Sequence, residues 1–279
     1  MVAFEIETLW LQIHWYGIFY LITFVFWFLF LKFIARQKYF SKEKNLQNLL
    51  DKGLEDLAIA IILWVLVGWR LGYTFIYNFE YYINNLVEVL YFREWGLSFV
   101  GGVLGVIIWI YIIKQKYKIS FRQLLMLSDF VIIVASLGIM LGRIGNFLNQ
   151  ELYWRPVENI INWNLLQYKE ALEAIKLFYV YESVDDKLRL NTNFLESFFE
   201  GFIFFVVFVY LFFKKYIHYI IKPWMFVGVF LAGYWVVRFL VEFLRDYGEN
   251  EYILFFTITQ WIMMVFFVGW LYFIFRKDF

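Results

Sequence analysis

Seven mainly apolar stretches follow one another along the 279 residues: Leu9–Leu31, Leu57–Tyr77, Leu97–Ile113, Leu124–Ile144, Phe198–Phe213, Trp224–Leu240 and Ile253–Phe275. Each is close to the ~20 residues that a helix needs to cross the hydrocarbon of a bilayer. In that solvent every backbone N–H and C=O must be satisfied within its own helix. The expected fold is therefore an all-α integral membrane protein, a bundle of seven transmembrane helices. Composition agrees: 63% of residues are hydrophobic and 25% aromatic, more apolar surface than a soluble domain of this length can bury. The aromatics read as lipid-facing surface and interfacial belts rather than as a cofactor box. Glu5 and Glu7 precede a first apolar run too long for a signal-peptide core, so a cleavable signal is not expected.

The connectors alternate in charge. Lys32–Lys52 carries six Lys or Arg, Lys114–Arg122 four, Lys214–Lys222 three, and Arg276 and Lys277 close the chain. Phe79–Glu94 and Glu242–Glu251 are net negative. By the positive-inside rule the basic connectors face the cytoplasm, which puts the N-terminus outside and the C-terminus inside. The long connector 145–197 is then an extracytoplasmic head inserted in a single membrane domain. A net charge of +1 argues against nucleic acid, whose phosphates need a basic surface. Without cysteine there is no disulfide, thiolate metal site or thiol nucleophile, and with two histidines no multi-histidine metal site is expected. Neither a metal nor a cofactor is implied.

Ionisable groups inside membrane segments are expensive and point to function. With topology set by loop charge alone, Arg70, Arg143, Asn146, Glu151, Glu196, Glu200, Arg238 and Glu242 fall toward the outer leaflet, as do His14 and Tyr16. Asp129 is the exception, nearer the cytoplasmic end of its span. Arg238 and Glu242 are four apart, on one helix face. Gly101 with Gly105, and Gly138 with Gly142, have the small-xxx-small spacing that lets helices approach closely. Any single arginine here reads as well as a structural ion pair or as a side chain reaching for the interface. Arg70, Arg143 and Arg238 at one depth suit an anionic phosphate better. His218, in a basic connector, reads as solvated.

The stretch Gly142–Arg155, GRIGNFLNQELYWR, resembles the signature GRxGNFxNxExxGR of the prolipoprotein diacylglyceryl transferase family. Four further segments resemble that family's motifs in order: His14–Gly17 (HWYG), Gly68–Tyr73 (GWRLGY), Gly96–Gly105 (GLSFVGGVLG) and Arg238–Arg245 (RFLVEFLR). The resemblance implies an enzyme of the bacterial plasma membrane. Such an enzyme moves the diacylglyceryl group of phosphatidylglycerol onto the lipobox cysteine of a prolipoprotein and releases glycerol phosphate. It further implies that Arg143 and Arg238 hold the headgroup, and that Tyr16, Asn146, Glu151 and Glu242 are functional.

Three departures stand out. Val100 replaces the family's histidine, Trp154 replaces a signature glycine, and Asn191–Glu196 (NTNFLE) keeps only the glutamate of PSQLYE. Valine can neither give nor take a proton. His14, placed with Tyr16 in the outer half of the first helix, is one candidate replacement base, although an interfacial histidine satisfied by hydrogen bonds is the plainer reading. Alternatively, nearby arginines favour the substrate thiolate without a base. A second functional reading is an inactive relative that binds phosphatidylglycerol or lipoprotein precursors. A third, a transporter of anionic lipid, is weakened by the lack of inverted repeats.

Overall fold

A computed structural model of the chain describes residues 2–6, 11–77, 79–90, 98–153, 156–157, 174, 177–184, 186–214, 224–243, 252–253, 255–257, 260–261, 263–265, 267–268 and 271. In chain order the elements are strands β1 (Val2–Ile6) and β2 (Leu11–His14), and helices α1 (Trp15–Arg36), α2 (Lys44–Lys52), α3 (Leu54–Gly72), α4 (Phe79–Asn84), α5 (Phe99–Lys116) and α6 (Phe121–Leu148). Strands β3 (Phe178–Val180) and β4 (Leu188–Leu190) follow, then helices α7 (Thr192–Phe213) and α8 (Met225–Glu242), and strands β5 (Tyr252–Ile253) and β6 (Phe256–Thr257). Helix α7 passes through a π segment at Ser197–Phe202. The chain forms two compact units, Phe28–Leu127 and Met1–Trp27 with Ser128–Phe279.

Among the described residues, five helical spans are long and apolar enough to cross a membrane: Gly17–Arg36, Leu54–Phe75, Phe121–Leu148, Thr192–Phe213 and Met225–Glu242. Their outer faces carry large exposed apolar side chains, such as Leu21, Val25 and Leu29 on α1 and Ile59, Leu63 and Leu66 on α3. Such faces need an apolar solvent. The third expected span appears as α5, and about half of the seventh lies outside the described residues.

Two expected helix starts are corrected. The first helix begins at Trp15, not Leu9, because Leu11–His14 pairs antiparallel with Val2–Ile6. Leu11–His14 alternates apolar and polar residues at the strand period, a pattern that a hydropathy window averages away. His14 therefore stands in β2, opposite Val2, and not on the helix that carries Tyr16. At the other end, Tyr252–Ile253 pairs with Phe256–Thr257 where the seventh span was expected to begin. Thr257 Oγ1 accepts from the Gln260 amide at 3.1 Å and Gln260 Oε1 accepts from the Thr257 amide at 3.0 Å. This reciprocal pair is a capping box, which fixes a helix start after Thr257.

Within the Phe28–Leu127 unit, α3 and α5 meet backbone to backbone. A Cβ on Gly68 would strike the Gly101 carbonyl, and one on Gly72 would lie 2.5 Å from Gly101 Cα. Helix α2 buries Leu46, Leu49 and Leu50, at i, i+3 and i+4. Buried Gln47 fastens it: its amide nitrogen donates to Ala35 O (3.0 Å) and Asp51 Oδ1 (2.9 Å), and its oxygen accepts from the Phe40 amide (3.2 Å).

In the other unit Gly201 of α7 sits against Met140 of α6, where a Cβ would come within 2.6 Å of backbone, and Ser197 Oγ donates to Met140 O. Gly138 is opposed by Thr23, whereas no described residue lies within 4 Å of a Cβ on Gly142, so among the described residues only the first of that pair serves close packing. Asp129 receives the amides of Trp224 (2.6 Å), Phe226 (2.9 Å) and Val227 (3.1 Å). It thereby caps the otherwise orphaned N–H groups that open α8.

Gly68→Val and Gly101→Val should each lower the thermal midpoint in detergent by several degrees, since overpacking costs about 1–3 kcal/mol. Gly142→Ala should leave it unchanged or raise it. Equal effects in all three variants would contradict the contact assignment.

Candidate functional site

Three helices bring five charged side chains together. Arg143 lies near the end of α6, Glu196 and Glu200 one turn apart at the start of α7, and Arg238 and Glu242 one turn apart at the end of α8. The Met140–Gly201 approach sets α6 close enough to α7 for Arg143, three residues on, to reach both glutamates. Arg143 Nη1 is 2.8 Å from Glu196 Oε2 and its Nη2 is 3.4 Å from Glu200 Oε2. Arg238 Nη1 is 2.7 Å from Glu196 Oε1 and its Nη2 is 3.4 Å from Glu242 Oε2. Glu196 thus gives one oxygen to each guanidinium. All three carboxylates are at most 2% exposed and Arg238 is 8% exposed, so the network is desolvated on every side but that of Arg143, at 16%.

The contacts fall into two classes. Those of Glu196 have the short geometry of charge-assisted hydrogen bonds, whereas those of Glu200 and Glu242 are long. Each arginine therefore keeps one firmly held and one loosely held nitrogen. Glu200 Oε1 is buried without a hydrogen-bond partner among the described residues, as are Asn149 Oδ1, Thr192 Oγ1 and Asn193 Oδ1. Buried polar atoms in native proteins are normally satisfied, so acceptors left over around two arginines suit a ligand with hydroxyls as well as an anion.

The adjoining segment between α6 and α7 is built on hydrogen bonds. Asn191 Oδ1 accepts from the Phe194 amide at 3.1 Å and so caps α7. It also accepts from the hydroxyl of fully buried Tyr181 at 3.3 Å, whose pKa burial pushes up to about 12. Tyr181 is thus a neutral donor at any physiological pH. Asn193 Nδ2 donates to the Glu151 carbonyl at 2.8 Å. After α6, Gln150 and Leu152 adopt φ of 56° and 54°, the left-handed region that such side chains rarely occupy, and backbone strain of this kind concentrates at functional sites.

The expected site residues divide accordingly. Arg143, Arg238 and Glu242 come together. Asn146 follows on α6, half-buried, with its carbonyl accepting the Glu151 amide at 2.9 Å, and Glu151 itself is exposed. Arg70 belongs to the Phe28–Leu127 unit, where its Nε donates to Val89 O (2.9 Å) and its Nη2 to Glu88 O (2.6 Å), with its carbon 5.1 Å from the Tyr82 ring centre. That guanidinium is committed to the turn Leu86–Leu90. Trp154, Arg155 and the side chains of His14, Tyr16 and Val100 lie outside the described residues. Glu196, the glutamate kept from the family motif, and Glu200 were placed at the outer end of their span but given no site role; their i, i+4 spacing at the head of an apolar helix marks them as facing one way.

A family model described as prolipoprotein diacylglyceryl transferase matches residues 1–276. The chain belongs to that family. It is 33% identical over 237 residues to a phosphatidylglycerol–prolipoprotein diacylglyceryl transferase of Rickettsia bellii, a match covering 85% of this chain and 79% of that one. Proteins of the same name from Buchnera aphidicola (34% over 245 residues, 83% and 79% covered) and Idiomarina loihiensis (33% over 240 residues, 85% and 77% covered) are similarly related. As a member of the diacylglyceryl transferase family with several apolar helices, the chain is a multi-pass membrane protein.

Removing Glu196 strands both arginines. Glu196→Ala should destabilise the protein by about 3 kcal/mol or more, as expected for a broken buried pair. Glu43→Ala, which breaks the exposed pair with Arg122 at 2.8 Å, should cost no more than about 1 kcal/mol. Comparable denaturation midpoints for the two variants would remove Glu196 from its bridging role.

Proposed function

We propose that this chain transfers the diacylglyceryl group of phosphatidylglycerol to the lipobox cysteine of a prolipoprotein, with Arg143 and Arg238 holding the lipid phosphate. The observation that carries this reading is the pair of guanidiniums, from two helices, bridged by one glutamate within an apolar chain. The short bonds to Glu196 fix the two forks. The loosely engaged Nη2 of each arginine exchanges Glu200 or Glu242 for a phosphate oxygen. The spare acceptors around Glu200, Thr192 and Asn193 take the hydroxyls of the glycerol headgroup.

In the reaction the cysteine sulfur attacks the glyceryl carbon bonded to the phosphate oxygen. A C–S bond forms, the C–O bond breaks, and the electron pair leaves on glycerol phosphate, where the arginines stabilise it. The thiol must first lose its proton. Val100 stands where the family has histidine, and His14 stands in a strand. We assign the proton to Glu200 Oε1, which has no hydrogen-bond partner among the described residues, with His14 as the alternative base and Tyr16, Asn146, Glu151 and Glu242 ordering the substrates. The departures at Val100 and Trp154 favour a second reading, in which the protein binds phosphatidylglycerol or lipoprotein precursors without turnover.

We also propose the finer topology: seven spans, residues 145–197 extracytoplasmic, the N-terminus outside and the C-terminus inside in the bacterial plasma membrane. The alternating loop charges support it.

Mass spectrometry of a lipobox peptide incubated with purified protein and phosphatidylglycerol should show the diacylglyceryl adduct. Arg143→Ala should lower the rate at least a hundredfold, Arg143→Lys should recover part of it because the fork is lost, and Glu200→Gln should fall at least tenfold with lipid binding retained. A folded wild type that binds lipid but yields no adduct selects the second reading. The chain lacks cysteine, so single substitutions report topology cleanly. In intact spheroplasts an impermeant maleimide should label Asp186→Cys and spare Ser41→Cys and Gln115→Cys; the reverse pattern would invert the proposed orientation.

A further inference from the structure

The Phe28–Leu127 unit holds a cleft of about 510 Å³ lined by the end of α1, helix α2 and the start of α3. Its floor is apolar and well packed: Ala35, Leu50 and Leu54 are each at most 5% exposed, and Phe28 closes one side. Its walls carry four cations, Lys32, Arg36, Lys38 and Lys52, against two carboxylates, Asp51 and Glu55. Asp51 is already engaged, by Lys38 at 2.6 Å and by the Gln47 amide at 2.9 Å. These contacts hold its pKa below the usual carboxylate range against the opposing effect of burial, with Lys52 adding to them.

Lys32, Arg36 and Lys52 have no carboxylate within 4 Å among the described residues, and the Lys32 ammonium rests 5.5 Å from the centre of the Phe28 ring. Lys32 and Arg36 are four apart on α1, a like-charge pair that repels on one helix face. Gln47 fixes α2, and with it Lys52, against the end of α1 through Ala35 and Phe40. Three cations are thus gathered around a preformed concave floor.

We propose that this cleft binds the phosphate of an anionic membrane phospholipid, through Lys32, Arg36 and Lys52, as a lipid site that shares no residue with the Arg143–Arg238 cluster. A membrane lipid suits it better than a free phosphate for two reasons. The cleft lies where two candidate spans, Gly17–Arg36 and Leu54–Phe75, reach their ends, which is headgroup depth. On α1 itself, Leu29, three residues before Lys32, is a large exposed apolar side chain along which an acyl chain can lie. In the topology proposed above this is the cytoplasmic leaflet, whereas the transfer site is in the outer one.

The test is photocrosslinking of the full-length protein in phosphatidylcholine vesicles, with p-benzoylphenylalanine replacing Phe28. An alkyne-tagged phosphatidylglycerol should give an adduct at least tenfold stronger than tagged phosphatidylcholine at the same mole fraction. Untagged phosphatidylglycerol or phosphatidic acid should compete. Lys32→Gln with Arg36→Gln and Lys52→Gln should lower the adduct about tenfold, and Arg143→Ala should leave it intact. Should the triple variant not fold, Lys52→Glu, at an exposed position, should lower the adduct alone. Equal adducts with the two tagged lipids would show only bulk-lipid contact and overturn the proposal, as would an adduct unchanged by the charge variants. Competition by millimolar inorganic phosphate or glycerol phosphate would overturn the lipid assignment. The readout does not require transfer, so loss of the transferase reading leaves it standing.

Discussion

Glu196 is the residue on which the arrangement of α6, α7 and α8 depends. An isolated guanidinium among apolar helices is strongly disfavoured, and two at one depth would also repel. A single carboxylate with one oxygen for each resolves both difficulties at 2.8 and 2.7 Å. This works only if the helices approach closely. Gly201 against Met140, and Gly233 against the Phe204 ring, provide that closeness, because a side chain at either glycine would force the helices apart. Packing and charge are therefore one constraint. A network fully closed by short bonds would nevertheless have no donor left for a substrate. The 3.4 Å contacts to Glu200 and Glu242 are what make it a site as well as a clamp.

The same requirement explains the other polar residues of the apolar segments. Asp129 uses its charge on three amides at the start of α8, and Arg70 uses its charge on the carbonyls of Glu88 and Val89. Both charges are spent on backbone polar groups rather than on another charge among the contacts described. Embedded polarity in this chain thus has two ends, closing the backbone or pairing with another charge, and only the second leaves exchangeable donors.

Hydropathy located all five described spans, three of them to within four residues at either end, because their apolar runs are long and nearly free of charge; the first expected span began eight residues early and the fifth expected span six residues late. It failed at both ends of the expected bundle. At Leu11–His14 a two-residue alternation is hidden inside an apolar window, and at Thr257–Gln260 a capping box decides where the helix starts. Depth alone brought Arg143 and Arg238 together, yet it ranked Arg70 beside them, since depth does not tell whether a guanidinium has carbonyls in reach. Glu196 and Glu200 were visible as charges but not as the bridge. Their partners lie 42 to 57 residues away in sequence, and the π segment that carries Glu200 has no simple signature.

The replacement of the family's histidine by Val100 can be weighed by magnitudes. A positioned general base contributes typically about 10²–10⁴-fold. Loss of a single donor to a developing oxyanion costs about 10²–10³-fold, and the proposed mechanism sets two arginines on the same leaving phosphate. The chain keeps both arginines and the glutamate that pairs with them, so the proposed mechanism retains its electrostatic contribution to leaving-group departure. Thiol deprotonation is the easier demand, because two neighbouring guanidiniums favour the thiolate and a buried carboxylate oxygen stands beside them. The change at Val100 therefore bears on rate, whereas a change at Glu196 would dismantle the site that generates it.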